Sequence, residues 1–182
     1  MIFHYSYKHL KFLKILKIEY FTISLLGLIG TMIMISANSL LMLYLGIELL
    51  SLSLYVLIGF NKKSSLSSEA AIKYYVLGAM SSGILLFGIS LIYGFTGSIT
   101  YDGIASQLIN IDINSVDYIA IIFGIIFITA SLCFKFGAAP FHMWVPDIYQ
   151  GSLISTTILL STLPKIAVFI VFLKLYFIPF IL

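Results

Sequence analysis

The sequence predicts an all-α polytopic membrane protein with five transmembrane helices, the fourth of them broken. Three observations carry this. Of its 182 residues, 61% are hydrophobic and only 9% charged, with a mean hydropathy of +1.13, far too little charge for a soluble surface. Successive apolar runs reach the roughly 20 residues that a helix needs to cross a bilayer. The run over residues 118–134 leads directly into Lys135, and Pro140 follows. Proline removes an intrahelical hydrogen bond and clashes with the preceding turn, so a break is expected over residues 138–140. Backbone groups freed at membrane depth survive only against protein or a wet cavity, and such broken helices build ion sites in many transport proteins.

The elements follow in order. Residues 1–20 carry Lys8, Lys11, Lys14 and Lys17 among Phe12, Leu13, Ile15, Leu16 and Ile18. They read as a basic interfacial segment abutting a five-helix transmembrane unit over residues 21–182. A targeting presequence is the competing reading, but the stretch has no arginine, few serines and no small-residue cleavage site. Residues 21–37 form the first span, Asn38 and Ser39 a tight turn, and residues 40–60 the second span, with Glu48 near its middle. After a polar loop at 61–65, Ser67 or Ser68 is the expected cap of a third helix reaching about Tyr93, with Glu69 and Lys73 in its first turns. Residues 94–116, with Asp102, Asp112 and Asn114, are too polar to span. The fourth span runs over 117–135, with its broken extension to Asp147. The fifth covers 151–177, with Pro164 and Lys165 at its centre.

Lysine placement orients the chain. With the amino terminus inside, Lys8, Lys11, Lys14, Lys17, Lys62 and Lys63 all lie inside, and the loop holding Asp102 and Asp112 lies outside. Ten lysines without an arginine, beside abundant Ile, Phe and Tyr, point to an AT-rich coding genome such as an organelle's. The single cysteine, Cys133, excludes a disulfide framework or thiolate metal site within this chain. The lysines are too few and scattered for a nucleic-acid footprint.

Ionisable residues inside spans cost about 2.5–3.5 kcal/mol each at mid-membrane, so they need partners and mark function. Glu48 shares one helical stripe with Tyr44, Ser51 and Tyr55, at i−4, i+3 and i+7; a proton or coupling role competes with that of a structural carboxylate. Lys165 stacks over Ser161 and Thr157, beside a proline expected to free a carbonyl. Snorkelling to an interface is its alternative, and apolar residues flank it on both sides. Lys135 has Ser131 at i−4 and His142 at i+7. Desolvation and a nearby carboxylate pull a buried lysine in opposite directions and so tune it toward proton exchange. His142 is a candidate relay, or a hydrogen-bonded structural histidine. Lys73 has Glu69 at i−4, an arrangement that an interfacial ion pair explains by itself. Trp144, Tyr149 and Tyr118 fit an interfacial aromatic belt.

Three stretches carry a resemblance: Gly46-Ile47-Glu48-Leu49; Ser68-Glu69-Ala70-Ala71-Ile72-Lys73-Tyr74; and Lys135-Phe136-Gly137-Ala138-Ala139-Pro140-Phe141-His142-Met143-Trp144-Val145-Pro146-Asp147, continuing to Tyr149-Gln150-Gly151. In order and spacing the chain resembles the antiporter-like membrane-arm subunits of respiratory complex I, the proton-pumping NADH:ubiquinone oxidoreductase, and among them the subunit 2 type. Such subunits contain two inverted five-helix repeats, each with a broken helix, and the resemblance covers the first repeat. It implies that Glu48 and Lys135 form a carboxylate–lysine pair and that Lys165 continues the proton path. Lys73 matches a lysine of the subunit 2 type.

Proton translocation would then involve Glu48, Lys73, Lys135, His142 and Lys165. The resemblance implies a subunit without redox chemistry in a proton-translocating NADH:ubiquinone reductase. NADH, FMN, iron–sulfur clusters and ubiquinone are expected in other subunits, with no cofactor or metal in this chain. Expected partners are other membrane-arm subunits, membrane lipids and a separate chain supplying the second repeat, with no nucleic acid. The expected location is the mitochondrial inner membrane with the amino terminus on the matrix side; the alternative is a bacterial inner membrane. The sequence departs from the family where Ser152-Leu153-Ile154-Ser155 replaces a proline-rich helix start, and where the chain ends after five spans.

Two other functions compete. A multi-component cation/proton antiporter shares these motifs, but Ile72-Lys73-Tyr74 disfavours it. A structural membrane-arm scaffold without its own proton path has no reason to carry the insertion cost of Glu48, Lys135 and Lys165.

Overall fold

A computed structural model of the protein describes residues 2–109, 111 and 115–177, so Asp112 and Asn114 of the polar loop lie outside the described residues. The architecture is all-α. The helices are α1 (Ile2–Phe12), α2 (Ile18–Ser36), α3 (Leu40–Ile58), α4 (Ser65–Thr96), α5 (Tyr101–Leu108), α6 (Val116–Phe136), α7 (Val145–Gly151) and α8 (Ile154–Phe177). Five of them, α2, α3, α4, α6 and α8, are long and apolar enough to cross a membrane.

Short polar connections set the helix ends. Ser39 caps α3 by accepting from the Met42 amide at 3.3 Å. The same turn is tied to the segment after α4, with the Leu40 amide donating to the Ile99 carbonyl at 2.9 Å and that of Tyr101 to Asn38 at 3.2 Å. The cap of α4 is Ser64, not the expected Ser67 or Ser68: its hydroxyl accepts from the Ser67 amide at 3.3 Å. Ser67 is buried and donates its own hydroxyl to the Ile58 carbonyl at 2.6 Å, closing the last turn of α3. In a run of serines each could cap in isolation, and the end of α3 decides which one is free to do so.

The third spanning helix also runs further than expected, to Thr96, where Gly97 stops it in a left-handed conformation at φ +66°. At 1.5 Å per residue its 32 residues extend about 48 Å, well beyond a hydrocarbon core of about 30 Å. Its ends therefore reach into polar surroundings, which is why Glu69 and Lys73 in its opening turns sit at no great cost.

Without a hydrophobic drive between helices in lipid, close approach and interhelical hydrogen bonds hold the bundle. A Cβ on Gly30 of α2 would come within 2.7 Å of the Leu50 amide nitrogen, and one on Gly46 of α3 within 2.7 Å of that of Met34. Between α4 and α6, Ser81 and Ser131 clamp reciprocally: their hydroxyls lie 3.0 Å apart and Ser131 Oγ donates to the Ser81 carbonyl at 2.8 Å. The clamp lies one helical turn before Lys135.

The last spanning helix starts later than expected. Helix α8 begins at Ile154, because Gly151 belongs to α7, and it passes through Pro164 unbroken. The basic amino-terminal stretch holds a helix, α1, whose Leu10 is wholly buried. It is packed against α8.

Candidate functional site

The expected break is present, but glycine starts it. Helix α6 ends at Gly137, φ +76°, a backbone conformation that L side chains rarely adopt. The Gly137 amide donates to the carbonyls of Cys133 at 2.9 Å and Phe134 at 3.0 Å, and the Ala138 amide to Cys133 at 3.0 Å. A cis Ala139–Pro140 peptide and a turn follow before α7. A break of this kind is expected to leave carbonyls unpaired, facing polar groups or water. Those of Cys133 and Phe134 are instead taken, the latter also by the Trp144 indole, whose Nε1 donates to it at 3.1 Å.

Lys135 sits in the last turn of α6 and is 8% exposed. Its Nζ donates to the Tyr55 hydroxyl of α3 at 3.5 Å and lies 5.9 Å from the centroid of the same ring. Tyr55 is held by two edge-on tyrosines, Tyr74 at 5.0 Å and Tyr75 at 5.5 Å between centroids. Its hydroxyl rests in a notch on α4 that exists only because residue 78 is glycine, since a Cβ there would overlap it. A cavity about the size of one water molecule lies between Ser51, Tyr74 and Lys135 and the ring of Pro164 on α8.

Glu48 is partly buried, and its Oε1 is buried without a hydrogen-bond partner. The carboxylate–lysine pair implied for Glu48 and Lys135 is not a direct contact: among the described residues the ion pairs are Lys73–Glu69 and Lys73–Asp147. Tyr55, which faces Lys135, lies seven residues from Glu48, about 10 Å along the axis. Glu48 still acts electrostatically on Lys135 and Tyr55.

Residues 37–181 match the family described as NADH:quinone oxidoreductase/Mrp antiporter, TM. The chain belongs to this family. NADH-quinone oxidoreductase subunit N of Ruthia magnifica is 49% identical over 165 residues, which are 91% of this chain and 34% of that protein. A chain of respiratory complex I from Thermus thermophilus superposes with a TM-score of 0.74 at 30% identity, over 87% of this chain and 34% of that one. A chain of an archaeal membrane-bound sulfane sulfur reductase superposes with a TM-score of 0.76 at 29% identity, over 86% of this chain and 31% of that one. The chain thus spans about a third of the length of the curated relatives it matches.

The family region, from Ala37 onward, contains all five residues singled out in the sequence, but the fold does not gather them. Lys73 is exposed and bridges Glu69 at 2.9 Å and Asp147 at 2.8 Å, tying the start of α4 to α7. His142 is exposed in the turn after Pro140, and no hydrogen bond or ion pair joins it to Lys135 among the described residues. Lys165 is half-buried, next to the Pro164 that lines the cavity. The centre consists of Lys135, Tyr55, Ser51 and, at a distance, Glu48.

Three residues escaped the sequence reading. Trp144, assigned there to an interfacial belt, is 4% exposed and packs between Tyr74 at 5.1 Å and Phe134 at 5.8 Å. Tyr74 joins Trp144 to Tyr55, so an aromatic chain runs from the break to the partner of Lys135. Lys174, near the end of α8, donates to the carbonyls of Ile35 at 2.8 Å and Ala37 at 3.1 Å and caps α2. A basic residue in a last turn was the available signal, though its carbonyl partners belong to another helix.

Proposed function

We propose that this chain forms part of a membrane-arm subunit of a proton-translocating NADH:quinone oxidoreductase, and that it moves protons without redox chemistry of its own. The observation that carries this is Lys135, buried immediately before the helix break, with a tyrosine hydroxyl as its hydrogen-bond partner. A lysine held this way is a reversible proton carrier, because an ε-ammonium releases its proton far more readily than a guanidinium. Lys165, beside the cavity-lining proline, continues the path, while Lys73 and His142 lie at the exposed end where protons exchange with water. Subunit N proteins among the relatives favour this reading over a cation/proton antiporter.

NADH, FMN, iron–sulfur clusters and quinone belong to other subunits of the assembly. Its partners are the neighbouring membrane-arm subunits and whatever polypeptide carries the helices that the relatives have beyond this stretch. The bacterial relatives support the bacterial inner membrane over the mitochondrial one, with the lysine-rich amino-terminal side facing inward. Purification of the intact assembly containing this chain tests the reading: NADH:quinone activity coupled to proton translocation should co-purify. An assembly that exchanges cations for protons and oxidises no NADH would contradict it.

A further inference from the structure

Resting on the reading of Lys135 as a proton carrier, we propose that Tyr55 and Ser51 are the relay through which Lys135 exchanges its proton with Glu48. No direct ion pair joins those two charges among the described residues, but two hydroxyls, those of Ser51 and Tyr55, stand on the face of α3 that they share with Glu48. Glu48, Ser51 and Tyr55 occupy one stripe of α3, and the far end of that stripe meets Lys135 Nζ at Tyr55 Oη, 3.5 Å away. Ser51 is buried. Its Oγ donates to the carbonyls of Ile47 at 2.7 Å and Glu48 at 3.2 Å, which leaves its oxygen lone pairs to accept, and it lies within interaction range of Tyr55. At the other end Glu48 Oε1 is buried with no donor assigned to it.

The setting of Tyr55 fixes where its hydroxyl stands. The ring itself needs a glycine at position 78, since a Cβ there would come within 2.8 Å of its Cζ. Gly78 also clears the space that the phenolic oxygen occupies, and the edge contacts with Tyr74 and Tyr75 hold the ring so that this oxygen stays against Lys135.

The transfer balances. The Lys135 ammonium gives one proton to Tyr55 Oη as the phenolic proton passes to Ser51 Oγ. The serine proton, after one side-chain rotation, passes to the Glu48 carboxylate. One N–H bond is broken and one carboxyl O–H bond formed, and both hydroxyls end as they began. Ammonium and carboxylate become amine and carboxylic acid, and the reverse reloads the lysine.

The test uses the complete assembly in vesicles, with proton translocation normalised to assembled complex, and takes as its scale the part that Lys135→Ala abolishes. Tyr55→Phe and Ser51→Ala should each lower that part by about 100-fold, the lower end of what a positioned proton donor contributes. Incorporation of 3-fluorotyrosine at position 55, a more acidic phenol of nearly the same size, should displace the pH profile of translocation, which a merely structural tyrosine would not. If Lys135→Ala abolishes translocation while Tyr55→Phe matches the wild type, the relay is overturned and the carrier stands. If Lys135→Ala matches the wild type, both fall. Should Tyr55→Phe fail to assemble, the fluorotyrosine decides, and an unmoved profile overturns the relay.

Discussion

Replacing Glu48 separates a proton acceptor at the end of the relay from a charge that acts only at a distance. Glu48→Gln keeps the shape but cannot take up a proton. Tyr55→Phe, which interrupts the same relay at its other end, is expected to cost about 100-fold, the lower end of what a positioned proton donor contributes, so Glu48→Gln should cost at least as much of the part of translocation that Lys135→Ala abolishes. A charge acting only through space would cost much less: at an effective dielectric near 20, two unit charges roughly 10 Å apart interact by about 1.7 kcal/mol, a factor of roughly 16. Proton translocation in reconstituted vesicles, normalised to assembled complex, decides between the two. A fall of only about tenfold in Glu48→Gln would refute Glu48 as the proton acceptor and leave it a distant charge.

Other consequences follow from the packing. Gly78→Ala should destabilise the assembly by about 1–3 kcal/mol through overpacking against Tyr55, whereas Gly83→Ala, with nothing within 4 Å of its Cβ, should not; thermal unfolding in detergent compares them. Asp147→Asn should barely move unfolding in the same assay, because the Lys73 cluster is solvent-exposed and screened by salt. The Tyr101 phenol, in α5 outside the spans, is pushed up to about 12 by burial. The stability this contributes is present below pH 10, the ordinary tyrosine range, and is lost as pH rises toward 12. An ultraviolet titration against Tyr101→Phe should show that late phenol, and ionisation near pH 10 would contradict its burial.

Five spans were legible because apolar runs of spanning length have one stable arrangement in a bilayer, and the polar stretches between them cannot enter it. The stripe from Glu48 to Tyr55 was legible because helical periodicity alone places those residues together. What crosses between helices was not. Nothing local says that Tyr55 faces Lys135, that Ser67 spends its hydroxyl on Ile58 and leaves the cap to Ser64, or that Lys174 reaches the carbonyls of Ile35 and Ala37. Trp144 misled for a related reason: an amphipathic ring near a helix end fits a membrane interface, and only the turn at Gly137 folds it back against Tyr74. The direct pair of Glu48 and Lys135 is not formed, because the lysine's hydrogen bond goes to Tyr55, seven residues further along α3.

The central claim is that Lys135 releases and regains a proton. Lys135→Arg tests it most directly, because arginine keeps the positive charge and the capacity to donate to Tyr55 but holds its proton throughout the relevant range. Proton translocation by vesicles containing the assembled Lys135→Arg complex should fall to the level of Lys135→Ala, with assembly intact. Translocation at the wild-type level would show that Lys135 is a fixed charge and would contradict its role as a proton carrier.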